Sequence, residues 1–97
     1  MKLYLISQRT NCGYDTYDSA VVAAEDDNDA TLINPSEYYP NWDQEAQDWA
    51  GTSITGKRYY QGSYGSWTKP ENVTANYIGE AKEGTERGVI CASFNAG

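Results

Sequence analysis

The sequence predicts an α+β fold: a small antiparallel sheet of about four strands with one or two short helices packed on one face. Three observations carry this. Four segments of strand length are apolar or alternate in polarity, at 2–7, 16–24, 72–79 and 87–94. Two short stretches between them, after Asp26 and after Asn41, begin with helix-capping residues. No repeat or linker divides the 97 residues, so they form one domain with a modest core. The unit that organises the chain is Tyr17 to Ile33, a strand of small apolar residues (Ala20, Val21, Val22, Ala23) leading into a short helix.

The first strand, Lys2 to Ser7, places Leu3 and Leu5 on one face and Tyr4 and Ile6 on the other, which suits a strand with both faces partly covered. Asn11 and Gly13 favour turns, and the stretch from Gln8 to Thr16 is too long for a two-residue hairpin. It reads as a wide loop leading into an antiparallel second strand, Thr16 to Ala24. Asp26 is the expected N-cap of the first helix, with Asp27 and Asp29 in its first turn, where carboxylates accept free backbone N–H groups. Ala30 and Ile33 share a face, and Asn34-Pro35 ends the helix. A second helix is expected from Trp42 to Ala50. Asn41 would cap it, Gln44 would complete a capping box, and Trp42, Ala46 and Trp49 would share one face. Asp43, Gln44, Gln47 and Asp48 would then point outward, and Gly51 would stop the helix.

A Tyr/Gly/Ser-rich loop or hairpin insertion follows at about 51–67, the composition of adaptable contact loops. The third strand, Asn72 to Gly79, sets Val73, Ala75 and Tyr77 against Thr74, Asn76 and Ile78. A charged turn from Glu80 to Glu86 leads to the fourth, Arg87 to Phe94, with Val89 and Cys91 opposed to Ile90, Ala92 and Phe94. The last residues, Asn95 to Gly97, are expected to fray.

Charge is distributed unevenly. Between Arg9 and Lys57 there is no Lys or Arg, but there are ten carboxylates: Asp15, Asp18, Glu25, Asp26, Asp27, Asp29, Glu37, Asp43, Glu45 and Asp48. The net charge is −7. Direct nucleic-acid binding needs Lys and Arg on phosphates, so this distribution argues against it and favours a basic partner or a solvated acidic face. With nine Tyr and three Trp, aromatics supply much of the core and of any contact surface.

Enzyme chemistry finds little support. The chain has no His, which removes His-based triads, His-bound zinc and the usual general base near neutral pH. Two Cys cannot hold a metal alone. A calcium loop from Asp26 fails where Ala30 and Thr31 stand, and helix capping explains these acids better. No spacing supports a glycosidase-type carboxylate pair. The expectation is therefore no enzyme, no metal and no cofactor. No apolar run approaches ~18 residues, and the first residues do not read as a signal peptide. The expected setting is cytoplasmic, with no membrane contact and with Cys12 and Cys91 as free thiols.

Two segments carry a resemblance. The opening, with Tyr14-Asp15-Thr16-Tyr17-Asp18-Ser19-Ala20-Val21-Val22-Ala23-Ala24, resembles a group of small phage and prophage proteins. The ending, with Ile78-Gly79-Glu80-Ala81 and Gly88-Val89-Ile90-Cys91-Ala92-Ser93-Phe94-Asn95-Ala96-Gly97, is similar too. The match covers roughly half the chain, and 35–67 lies outside it. The resemblance implies no catalytic residue. It implies a context in which small acidic proteins act as anti-defence inhibitors, of the anti-CRISPR or anti-restriction kind. In that reading the partner is a basic host protein or nucleoprotein complex. The acidic segment Asp15 to Asp48 would dock on it, and Tyr38, Tyr39, Trp42 and Tyr60 would hold the contact. The alternative is an assembly module that pairs through its own sheet edge or Tyr-rich hairpin, with the acids providing only solubility.

Overall fold

The computed structural model describes residues 1–11, 13, 15–62 and 65–95. Expectations placed on Cys12, Tyr14, Ser63, Tyr64, Ala96 and Gly97 lie outside the described residues. The chain is mostly β. Its elements are β1 (Lys2–Ser7), β2 (Thr16–Ala24), α1 (Asp27–Ala30), β3 (Asn41–Asp43), β4 (Asp48–Thr52), β5 (Arg58–Tyr60), β6 (Thr74–Glu80) and β7 (Gly88–Asn95), with a 3-10 turn at Pro70–Asn72 before β6. They form a four-stranded antiparallel sheet in the order β6-β1-β2-β7 and a three-stranded antiparallel sheet in the order β3-β4-β5. Among the described residues no helix is long and apolar enough to cross a membrane.

The large sheet follows the sequence reading. β1 and β2 pair from Lys2↔Ala24 to Ser7↔Ser19, so Tyr4, Ile6, Ala20, Val22 and Ala24 share the inner face. The wide loop between them is tied by Gln8, whose Nε2 donates to the Tyr17 carbonyl at 2.8 Å while its Oε1 accepts from the Asn11 N–H at 3.1 Å. β6 and β7 flank this pair at opposite edges, and residues 81–87 join them across the Lys2/Ala24 end. The fourth strand corrects one expectation. Val21 pairs with Cys91 but its neighbour Val22 pairs with Val89, so Ile90 is an extra residue in a β-bulge. The bulge puts Val89 on the inner face and Cys91 on the outer, not on the same face as strict alternation requires. A second bulge falls at Ile78 in β6, since Leu3 pairs with Gly79 and Tyr4 with Tyr77.

The first helix starts where expected. The Asp26 side chain accepts the Asp29 N–H at 2.7 Å. The α-helix ends at Ala30, and Leu32 and Ile33 continue it as bonds to the Asp29 and Ala30 carbonyls. Ala30 and Ile33 are both buried against the sheet.

The second helix does not form. Residues 41–52 make the β3–β4 hairpin, with Trp42 opposite Trp49 and Asp43 opposite Asp48. A spacing of seven satisfies one helical face, but it also brings two residues together across a hairpin with a four-residue turn. The second solution wins because it stacks the two indoles edge to face at 5.3 Å and carries Trp49 into the core at 1% exposure. Asn41 is therefore the first residue of β3, and Asp43 caps a turn instead of facing out of a helix, accepting the Glu45 and Ala46 N–H groups at 3.1 Å. Ala46 sits exposed in that turn. Gly51 lies inside β4, where an added Cβ would overlap the Tyr38 carbonyl oxygen and the Tyr59 ring. The 51–67 insertion begins as the β4–β5 hairpin.

Where a second helix was expected to cover the large sheet, the small sheet does so. The core between them gathers Tyr4, Ile6, Ala20, Val22, Ala24 and Val73 from the large-sheet side with Ala30, Ile33, Trp49 and Trp67. The Trp49 indole donates to the Thr68 carbonyl at 2.8 Å. The buried Trp67 N–H has no acceptor among the described residues.

Candidate functional site

The β3–β4 hairpin is bordered by a belt of three cavities that share lining residues. One of about 380 Å³ lies between Thr10, Asn11, Asp48, Gln61 and Asn72, and shares Gln47 and Lys69 with a second of about 510 Å³. The second runs between α1 (Asn28, Thr31), the hairpin turn (Gln44, Gln47) and the 3-10 turn (Pro70, Glu71). Through Leu32, Trp42 and Gln44 it meets a third of about 400 Å³, which reaches Arg87. Trp42 is the half-buried aromatic at the centre of the belt, and its indole N–H donates to Gln44 Oε1 at 2.8 Å.

The turn at the tip is strained. Gln47 has φ 53°, a left-handed conformation that costs a non-glycine residue roughly 1–2 kcal/mol. It is held by its own Nε2, which donates to the Gln44 carbonyl at 2.7 Å. Such strain gathers at contact sites, and this residue lines two of the three cavities.

The acidic residues divide into those with a structural task and those without. Asp43 accepts from Arg58 at 2.8 Å and from the Tyr60 hydroxyl at 2.9 Å, besides the turn N–H groups. The Ala46 N–H first, then Tyr60 and Arg58, hold its carboxyl below the usual carboxylate range. Asp48 accepts the Trp49 and Gly62 N–H groups at 2.8 and 3.0 Å. Asp29 pairs with Arg87 at 2.9 Å and accepts the Glu25 N–H. Asp26 is the helix cap. Asp27 is exposed and accepts the Asn28 N–H at 2.8 Å. The rest of the predicted set, Asp15, Asp18, Glu25, Glu37 and Glu45, is exposed. The two ion pairs among the described residues involve only Asp43 and Asp29.

These acids do not lie together. Asp15 and Asp18 belong to the start of β2, and Glu25 to Asp29 follow its end. Six strand residues, 19–24, separate Asp18 from Glu25, a span of roughly 23 Å. The fold does bring α1 and the hairpin turn to the same cavity: Asn28 and Gln44 line it, beside Asp27 and Glu45. Of the predicted aromatics, Tyr38 is 67% exposed and Tyr60 44% exposed. Tyr39 is half-buried, edge to face with Tyr59 at 5.6 Å.

The residues that sequence reasoning missed are four amides and one cation: Gln44 and Gln47 as turn residues, and Asn72, Gln61 and Lys69 as distant members of the belt. The only signal for them is the amide-rich run Gln44 to Gln47, which a helix accommodates equally well. Among the described residues no three His, Cys, Asp or Glu side chains converge to hold a metal ion. Cys91 is an exposed free thiol. No protein-family model, curated protein or solved structure matches this chain.

Proposed function

We propose that the protein is a non-enzymatic, phage-type accessory protein. It acts as an anti-defence inhibitor that docks an acidic surface on the basic, nucleic-acid-binding site of a host protein complex. The observation that carries this reading is the state of its carboxylates. Glu25, Asp27 and Glu45 are exposed and stand outside both of the ion pairs named above, and Asp27 and Glu45 are the chain neighbours of Asn28 and Gln44, which line the cavity beside Trp42. Such charges raise the rate of encounter with a basic partner, and Trp42 and Tyr38 offer aromatic surface to hold it. The phage setting comes from the resemblance of the two chain ends. Because the acids split into groups at the two ends of β2, the docking surface is the α1–hairpin side, and Asp15 and Asp18 lie outside it.

The experiment uses an immobilised protein challenged with a Lys/Arg-rich nucleic-acid-binding protein and with bacterial lysate over a salt series. Reversal of Glu25, Asp27 and Glu45 to Lys is expected to abolish salt-sensitive binding, whereas reversal of Asp15 and Asp18 leaves most of it. Equal loss in both variants, or no binding by the unmodified chain, refutes the reading.

A further inference from the structure

The last strand of the large sheet, β7, is a bare edge. Among the described residues it pairs with β2 alone, so every second residue turns its backbone N–H and C=O away from the sheet. Proteins blunt such edges with charged residues, with Pro or with bulges. From Gly88 to Asn95 there is no charge and no Pro. The bulge at Ile90 leaves Cys91 to Asn95 as an unbroken run, because the second irregularity places its extra residue, Asp18, in β2. The opposite edge, β6, carries Glu80 and is interrupted at Ile78.

The inner side of β7 is uncovered as well. Val89 and Ala92 stand opposite the buried Val22 and Ala20, yet no β7 residue belongs to the core. Val89 is 39% and Phe94 47% exposed, and Phe94 leans edge to face on Tyr17 at 4.8 Å. Val89 also lines a cavity of about 400 Å³ with Ile33, Pro35 and Pro40. Acids stand at both ends of the strand. Glu37 lines the same cavity, and in the 80–87 turn Glu80, Glu83 and Glu86 outnumber Lys82, while Arg87 is held by Asp29. At the far end the Asp15 N–H donates to the Asn95 carbonyl at 2.6 Å, and Asp18 is the exposed extra residue next to the Tyr17–Phe94 pair.

We propose that β7 takes up an extended segment of a partner protein as an added strand. This segment is apolar in its middle and carries Lys or Arg at its ends. The open ladder specifies an extended backbone, and the shelf of Val89, Ala92 and Phe94 specifies apolar side chains on one face. The acids at both ends specify the flanking cations. A second copy of the chain fits worse. Two β7 strands side by side, in either direction, bring acids against acids at both ends. The strand site uses none of Glu25, Asp27 and Glu45, so it stands or falls independently of the acidic docking proposed above.

The test uses the full chain and a labelled peptide of alternating Val and Thr with Lys at both ends, read by fluorescence anisotropy and amide exchange. Saturable binding is expected, with slowed exchange in Cys91 to Asn95. N-methylation of the peptide amides removes the ladder and is expected to weaken binding by about tenfold or more. Phe94→Lys is expected to weaken it by a similar factor, while Tyr77→Lys on the opposite edge leaves it intact. Should Phe94→Lys fail to fold, a charge swap decides: Asp18→Lys with Glu86→Lys is expected to turn the preference from Lys-ended to Glu-ended peptide. An unaltered preference in that chain overturns the proposal. So do absence of binding, equal binding of the N-methylated peptide, slowed exchange in β6 instead of β7, and self-association through β7 in place of peptide uptake.

Discussion

The two sheets of this protein are built on different physics. The large sheet is assembled from segments whose own apolar content calls for burial, and its central pair β1–β2 runs without a bulge from Lys2 to Ser7. The small sheet has strands of three, five and three residues, too few to be stable alone. It is held by one stacked indole pair, by Asp43 and Asp48 accepting backbone N–H groups, and by burial of Trp49 against the large sheet. Strand identity in the first sheet is thus a local property, and in the second it is a consequence of docking.

Substitutions that strike the docking contact should separate the two sheets most strongly. Trp49→Ala removes the largest side chain that the small sheet buries and is expected to cost about 3–5 kcal/mol, against about 0.5–1.5 kcal/mol for Ile6→Val in the large sheet. Chemical denaturation measures both. If the two losses are similar, the small sheet does not depend on its Trp anchor. Gly51→Ala forces a methyl group into the Tyr38 carbonyl and the Tyr59 ring, and should cost about 1–3 kcal/mol. The same change at Gly84, in an open turn with φ 88°, has no such contact and tests backbone strain alone.

Smaller effects test individual side-chain bonds. Asp26→Ala removes the α1 cap and should cost about 1 kcal/mol. Arg87→Met breaks the exposed pair with Asp29 and should cost at most about 1 kcal/mol, less at high salt. Asp43 is read by pH. Its folded carboxyl is held below the ordinary value, so its contribution is present above about pH 4 and is lost as pH falls through the lowered value. Asp43→Asn keeps the turn acceptor and removes the charge. Its thermal midpoint should be less sensitive to acid than that of the unmodified chain, and an unchanged acid profile would show that this carboxylate does not set it.

The strands that could be read in advance are those where alternation and length agree: Tyr4 and Ile6 against Leu3 and Leu5, and Val73, Ala75 and Tyr77 against Thr74 and Asn76. The bulges at Ile78 and Ile90 escaped because a single inserted residue leaves composition unchanged while reversing every later side chain. The hairpin at Trp42 to Trp49 escaped because Asp43 to Gln47 are acceptable helix residues, and local propensity yields to tertiary burial. For the candidate site, the carboxylates could be counted but not sorted. Asp29, Asp43 and Asp48 look like their neighbours until Arg87, Arg58 and Gly62 arrive from 58, 15 and 14 residues away.

What the amino-acid sequence determined by itself is the large antiparallel sheet, the cap at Asp26 and the excess of negative charge. These follow from residue type and short-range spacing, which need no partner to act. The tertiary structure alone decided that Trp42 and Trp49 face each other across a hairpin, which acids are consumed by the chain's own groups, and that Leu5 remains open to solvent. Each of these depends on what a distant segment brings alongside, and one-dimensional order does not encode that.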